Sequence, residues 1–161
     1  MISIATAMTL TGLSERTFWR RISDGTFEGK SAKGNKTRVD LATIEPYICI
    51  PIKHEDSYLI GSADAGNPEA QTDLALIFLE NDRPRGAFYW LELAAQRDFA
   101  DAMHLLGRCY IDGNGVQKDT NLGIMWIAKA ASRGHVLAAA QMQGVSARLP
   151  AKPGAASPNP S

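Results

Sequence analysis

Two short stretches, Trp90-Leu91-Glu92-Leu93-Ala94-Ala95 and Trp126-Ile127-Ala128-Lys129-Ala130-Ala131, share the spacing Trp-x-x-x-Ala-Ala and lie 36 residues apart. The same shift carries Ala102 onto Ala138. Stepping back from Ala102 to Ala70 takes only 32 residues, because the segment Leu79 to Ala87 is four residues shorter than its counterpart Ile111 to Gly123. A period of roughly 30 to 40 residues, with two amphipathic segments in each unit, is the mark of stacked helical hairpins, where each unit buries one apolar face on its neighbour. Small Ala and Gly residues let paired helices approach, and Leu, Phe, Tyr and Trp one turn away fill the space between hairpins. Trp90 and Trp126 are therefore expected in the core.

Working outward from these blocks, Ala63, Gly66, Ala70 and Leu74 precede Ala87, Trp90, Ala94 and Ala95. The set returns as Phe99, Ala102, Leu106, Gly107 and Tyr110, then Gly113, Gly115, Trp126, Ala130 and Ala131. Over residues 61 to 143 this resembles the Sel-one-like repeats, relatives of the tetratricopeptide repeats. The stretch from Ser132 to Gln143 looks like the first helix of a third, truncated unit. Gly123 stands where that pattern usually has Ala. The resemblance implies a short α-solenoid with a protein partner held in the groove of the stack.

The first fifty residues differ. Ser3 can cap a short helix with Ile4, Ala7 and Met8 on one face, and Gly12 sits where helices terminate. Ser14 can cap a second helix carrying Glu15 in its first turn, where a negative charge suits the helix dipole. On that helix Phe18 and Ile22 share an inward face, while Arg16 and Arg20, with Thr17 and Arg21 beside them, form another. Gly25 is placed to end it. The segment Thr26 to Asp40 has the form of a β-hairpin with Lys33-Gly34-Asn35-Lys36 at its tip, and Asp40 can cap a third helix through Ile44. The order helix, turn, helix, basic hairpin resembles the winged helix-turn-helix of the MerR and excisionase families over residues 2 to 47. That resemblance implies DNA contact by Ser14, Arg16, Thr17, Arg20 and Arg21 in the major groove, with Lys33, Lys36 and Arg38 on the flanking phosphates. An interaction scaffold that leaves DNA untouched is the competing reading.

Charge is divided along the chain in a way its total conceals. Lys and Arg number 17 and Asp and Glu also 17, but residues 1 to 44 hold seven basic against four acidic side chains, and the remainder is correspondingly acidic. Such a local excess supports only weak, salt-sensitive binding by a single copy. The 161 residues are 45% hydrophobic, enough for a buried core. Cys49 and Cys109 have no paired spacing or His neighbour and are expected to be reduced core thiols, with neither a disulfide nor a zinc site.

Other signals lead nowhere. The segment Asp112 to Gly123 opens like a calcium loop but offers Val116 and Gly123 at ligand positions, and it suits the Gly-rich loop between repeat helices better. His54, His104 and His135 lack metal-site or triad companions. No nucleophile elbow or phosphate-binding glycine loop is present, so no enzyme activity, cofactor or metal is expected. There is no signal-peptide pattern at the start and no apolar run near the ~18 residues that span a bilayer, so a cytoplasmic location without membrane contact is expected.

Taken together, the sequence predicts a mostly α protein. Residues 1–52 form a winged helix-turn-helix with a small β-hairpin, 53–147 a short α-solenoid of helical hairpins, and 148–161 a Pro-rich tail too poor in apolar side chains to order. Tyr47, Ile48, Ile50 and Ile52 are expected to dock the first part on the second as one body. The expected partners are DNA and a protein bound through the repeats, which could alternatively close a homodimer.

Overall fold

The structure is a computed structural model and describes residues 1–32, 36–52 and 56–148. Strand β1 (Ile2–Ser3) runs directly into helix α1 (Ile4–Thr11), and α2 (Glu15–Ser23) comes after a short turn. Each helix begins where the sequence places a cap: Ser3 accepts from the Thr6 amide at 3.2 Å and Ser14 from the Thr17 amide at 3.3 Å. Gly12 closes α1 in the left-handed region at φ 65°, which a side chain would strain. Helix α2 ends one residue before its cap Asp24, and Gly25 comes next at φ 79°.

Strands β2 (Gly29–Ala32) and β3 (Lys36–Val39) form the expected antiparallel hairpin. Sequence reading missed that β1 also pairs with β3, so the sheet order is β1-β3-β2. Two residues are too short for an alternation signal, and Ser3 was legible only as a cap. Asp40 then caps the four-residue α3 (Leu41–Ile44) through the Ala42 amide, and a 3-10 turn, Glu45–Tyr47, continues it. Phe18, Phe27, Val39, Ile44 and Leu10 are fully buried here.

Beyond residue 56 all the described secondary structure is helical: α4 (Ser57–Asp64), α5 (Pro68–Glu80), α6 (Pro84–Ala95), α7 (Ala100–Asp112), α8 (Thr120–Ser132) and α9 (Val136–Arg148). The closest pairs are α5 with α6 and α7 with α8, each hairpin packing on the next through α6 and α7. Inside the second hairpin two glycines face each other. A Cβ on Gly107 would lie 2.7 Å from the Gly123 carbonyl oxygen, and one on Gly123 would lie 2.6 Å from that of Gly107. The departure at Gly123 thus permits backbone-to-backbone contact between α7 and α8.

The intervening loop serves the same stacking. Gly113 caps α7 in the left-handed region, Asp119 caps α8 through the Leu122 amide at 3.0 Å, and Gly115 abuts the Pro84 carbonyl at the start of α6. The two tryptophans diverge from the shared expectation. Trp90 is 1% exposed, between two hairpins, whereas Trp126 is only half-buried, with the Lys129 ammonium 4.6 Å from its ring. Only a single helix, α9, comes after α8 among the described residues.

The expected docking stretch is also less sealed than its composition suggests. Ile50 is buried, Ile48 and Ile52 are half-buried, and Tyr47 is 38% exposed. The contact between the N-terminal elements and the helices relies on polar groups as well. Asp64, at the end of α4, accepts from the Ser3 amide at 3.0 Å and the Thr6 hydroxyl at 2.6 Å and pairs with Arg38 at 2.5 Å. Cys49 and Cys109 are free thiols, half-buried and buried, and burial pushes Cys109 up to about 11. The Pro-rich tail beyond residue 148 lies outside the described residues.

Candidate functional site

Two surfaces bring together the side chains that could recognise a partner. The first is the outer face of α2. Arg16 and Arg20, one turn apart, are exposed and have no ion-pair partner among the described residues. Trp19 beside them is 40% exposed, and the buried Phe18 anchors the opposite side. The helical stack does not cover this face.

The remaining residues assigned to DNA contact are partly committed elsewhere. Ser14 and Thr17 bond each other, hydroxyl to hydroxyl at 2.9 Å, while capping α2. Arg21 lies 4.1 Å from the Tyr47 ring centroid and 5.5 Å from that of Phe27, closing an aromatic ladder in which Phe18 meets Phe27 tilted at 5.1 Å and Phe27 meets Tyr47 edge-to-face at 5.3 Å. Arg38 points back into the protein, bonding Asp64 and the Met1 carbonyl. Lys36 lies on β3 opposite Ala32, and Lys33 lies outside the described residues. Lys30, not singled out in the sequence, is exposed and pairs across the sheet with Arg38.

Asp64 makes the commitment of Arg38 firm. Burial pushes its carboxyl up, but the hydrogen bonds from Ser3 and Thr6 and the Arg38 charge outweigh that and hold it below the ordinary carboxylate value. The Asp64 charge also offsets the repulsion between Lys30 and Arg38, which the strand register sets directly opposite each other. Spacing alone showed no sign of this, since Arg38 and Asp64 are far apart in the chain and belong to different elements.

The second surface is a groove of about 340 Å³ across the first helices of successive hairpins, lined by residues of α5 and α7 and by His135 before α9. Leu76, 40% exposed, with Phe99 and Leu105 gives it an apolar floor, and Glu69, Asp73 and Asp101 give it a negative rim. At its far end His104 and His135 stack, centroids 4.3 Å apart. His135 accepts from the Ala138 amide through Nδ1 at 3.0 Å and so caps α9, leaving Nε2 toward Asp101 at 3.7 Å. His104 is buried and bonds Gln141 of α9 through Nε2 at 3.1 Å. Burial, then the neighbouring His135, pushes its imidazole below the ordinary value. The sequence offers neither histidine a companion at metal-site or triad spacing, and the stack supplies the partner that chain spacing hid. Among the described residues no group of three His, Cys, Asp or Glu side chains could hold a metal ion, and none of the helices is long and apolar enough to cross a membrane.

Comparison with known proteins supports the repeat half of this picture. Residues 68–99 and 100–135 each match the Sel1 repeat family, which places α5 with α6 in one repeat and α7 with α8 in the next. A crystal structure of a Sel1 repeat protein from Oxalobacter formigenes superposes with a TM-score of 0.56 at 31% sequence identity, covering 57% of this chain and 28% of that one. This chain thus spans less than a third of that relative's length. Two segments of this chain match the Sel1 repeat, and α9 packs on α8 beyond them.

Proposed function

We propose that this protein is a non-enzymatic interaction scaffold whose Sel1 repeats hold a protein partner in the groove across α5 and α7. The observation that carries this reading is the groove itself: an apolar strip of Leu76, Phe99 and Leu105 flanked by three carboxylates, on helices held rigidly by close pairing. Such a surface suits a short amphipathic segment with basic residues, its apolar side on the strip and its cations on the rim. With so few repeats, the groove has room for one helix or a short extended peptide. Photo-crosslinking from position 69, exposed on the rim of the groove, in the full chain should trap one such partner. The pair Leu76→Asp, Asp73→Lys should abolish that crosslink while leaving the helical circular dichroism intact, and undiminished crosslinking would defeat the assignment.

A second reading, DNA contact through α2, is favoured by the exposure of Arg16 and Arg20 on a helix flanked by a hairpin. It is weakened by the contacts that already engage Arg21 with Tyr47 and Arg38 with Asp64. What remains open among the described side chains is Arg16, Arg20 and Lys30, a set too small for tight binding by one copy. Titration of a random DNA duplex against salt tests it. DNA contact predicts retention at low salt that falls steeply as salt rises and disappears in the double variant Arg16→Ala, Arg20→Ala, whereas a DNA-silent scaffold shows no retention at any salt.

A further inference from the structure

The acidic groove across α5 and α7 and the basic face of α2 belong to one chain, and their patterns match. Glu69 and Asp73 stand one helical turn apart on the rim, both exposed, with Leu76 a further turn along at 40% exposure. Arg16 and Arg20 stand one turn apart on α2, both exposed, with Trp19 between them in the chain and also 40% exposed. A rise of about 1.5 Å per residue gives each pair a spacing of about 6 Å along its helix. Two guanidinium groups can therefore meet two carboxylates at once when the helices lie side by side, while the indole reaches the apolar strip of Leu76, Phe99 and Leu105.

Each surface lacks what the other carries. Among the described residues, the groove is lined by three carboxylates and by neither lysine nor arginine. On α2 the acidic neighbours are already answered: Glu15 lies in the first turn, where the helix dipole stabilises it, and Asp24 accepts from the Thr26 amide and hydroxyl. Within one chain the two surfaces do not meet, because α2 is seated on the N-terminal core by Phe18 and has no extensive contact with the repeat helices. The 17 basic and 17 acidic side chains cancel, so copies carry no overall repulsion that would keep opposite faces apart.

With the groove taken as the protein-binding site proposed above, we propose that its occupant is α2 of a second copy of this chain. Arg16 and Arg20 pair with Glu69 and Asp73, and Trp19 covers Leu76. The two faces differ, so copies either exchange α2 reciprocally in a closed pair or add head to tail. The groove, about 340 Å³, admits one bulky side chain, and exposed ion pairs contribute little each. The association is therefore weak and sensitive to salt.

Sedimentation velocity of the full chain provides the test. At low salt the average mass should rise with concentration between about 10 µM and about 1 mM, and it should fall back toward the monomer in about 0.5 M salt. The pair Arg16→Ala, Arg20→Ala and the pair Leu76→Asp, Asp73→Lys should each weaken association about tenfold or more. Mixing the two variants separates this contact from any other. One retains an intact groove and the other an intact α2, so together they should form a one-to-one pair and nothing larger, which a misfolded variant could not do. A photo-reactive residue at position 23, exposed on the same face as the arginines, should crosslink a second copy within α5 or α7. The proposal is overturned if the natural chain stays monomeric to about 1 mM at low salt. It is equally overturned if association survives both variant pairs, or if the mixture associates no more than its parts. Where the chain is monomeric but position 69 still traps another protein, the groove reading stands and only its occupant is wrong; where position 69 traps nothing, both fall.

Discussion

Asp64 shows how one side chain changes the meaning of others. Its carboxylate receives an amide, a hydroxyl and a guanidinium from strand β1, helix α1 and strand β3, although it belongs to α4. Arg38 was legible in the sequence as one more cation on a basic hairpin, and so was Arg21 on a basic helix. Neither the ion pair nor the aromatic ladder under Arg21 has a local signature, because both partners arrive from distant parts of the chain. Asp64→Ala should lower stability by about 2 to 3 kcal/mol, less than for a fully enclosed pair because Arg38 is 45% exposed and partly solvated. Urea unfolding at neutral pH measures this, and a loss below about 0.5 kcal/mol would show that the contact is ornamental. The depressed carboxyl also sets the acid limb. The unfolded chain holds its proton to higher pH than the folded one, so the stabilisation is complete above the unfolded value of roughly 3.9 and is lost as pH falls through the lower folded value. Asp64→Ala should lack that part of the decline.

Helices pair as tightly as their smallest facing residues allow, and here sequence was a good guide to existence and a poor one to context. The Trp-Ala-Ala blocks, the Gly-rich loop and the capping residues Ser3, Ser14 and Asp40 act locally, so their elements appear where the spacing put them. Trp126 occupies the same place in its repeat as Trp90, yet it is only half-buried, with the Lys129 ammonium beside its ring, because burial depends on what packs against each ring and not on its spacing. The glycine pair gives a prediction that runs against the repeat pattern. Although Ala is usual at its position, Gly123→Ala should destabilise by about 1 to 3 kcal/mol, since its Cβ would meet the Gly107 carbonyl and Ile111 across the helix pair. An unchanged or raised thermal midpoint would show that α7 and α8 can part without cost. The histidine stack gives another. His104 faces His135 and Gln141 near α9, Arg108 and Asp101 on its own helix, and Glu69 and Asp73 across the groove. Its lowered value means that the unfolded chain takes up a proton first. Stability is therefore full above the ordinary imidazole value of ~6.5 and falls as pH drops toward the folded value. Hydrogen exchange corrected for intrinsic rates should show α9 losing protection on acidification from about pH 7.5 to about 5.5, and His104→Gln should flatten that response.

Across the molecule, the N-terminal elements and the repeats meet through both apolar and polar groups, and that determines how they come apart. Ile2 and Ile60 are buried near the junction, the Cys49 amide donates to the Leu10 carbonyl at 2.9 Å, α1 reaches α6, and Asp64 ties three elements together. An N-terminal sheet of three short strands has little independent stability, because two of its strands form a small hairpin and the third has two residues. Repeats, by contrast, are held by nearest neighbours and can lose their ends first. The junction should therefore make the sheet and the first repeat unfold together, while α9 frays earlier. In native-state hydrogen exchange under increasing urea, the amide of Val39 in β3 and those of Trp90 and Leu91 in α6 should merge into one opening with a single free energy, above that of α9. Asp64→Ala should split them, with β3 opening at lower urea than α6, because the polar connection between β3 and α4 is lost. If Val39 already opens well before Trp90 in the natural chain, the N-terminal elements are an independent appendage.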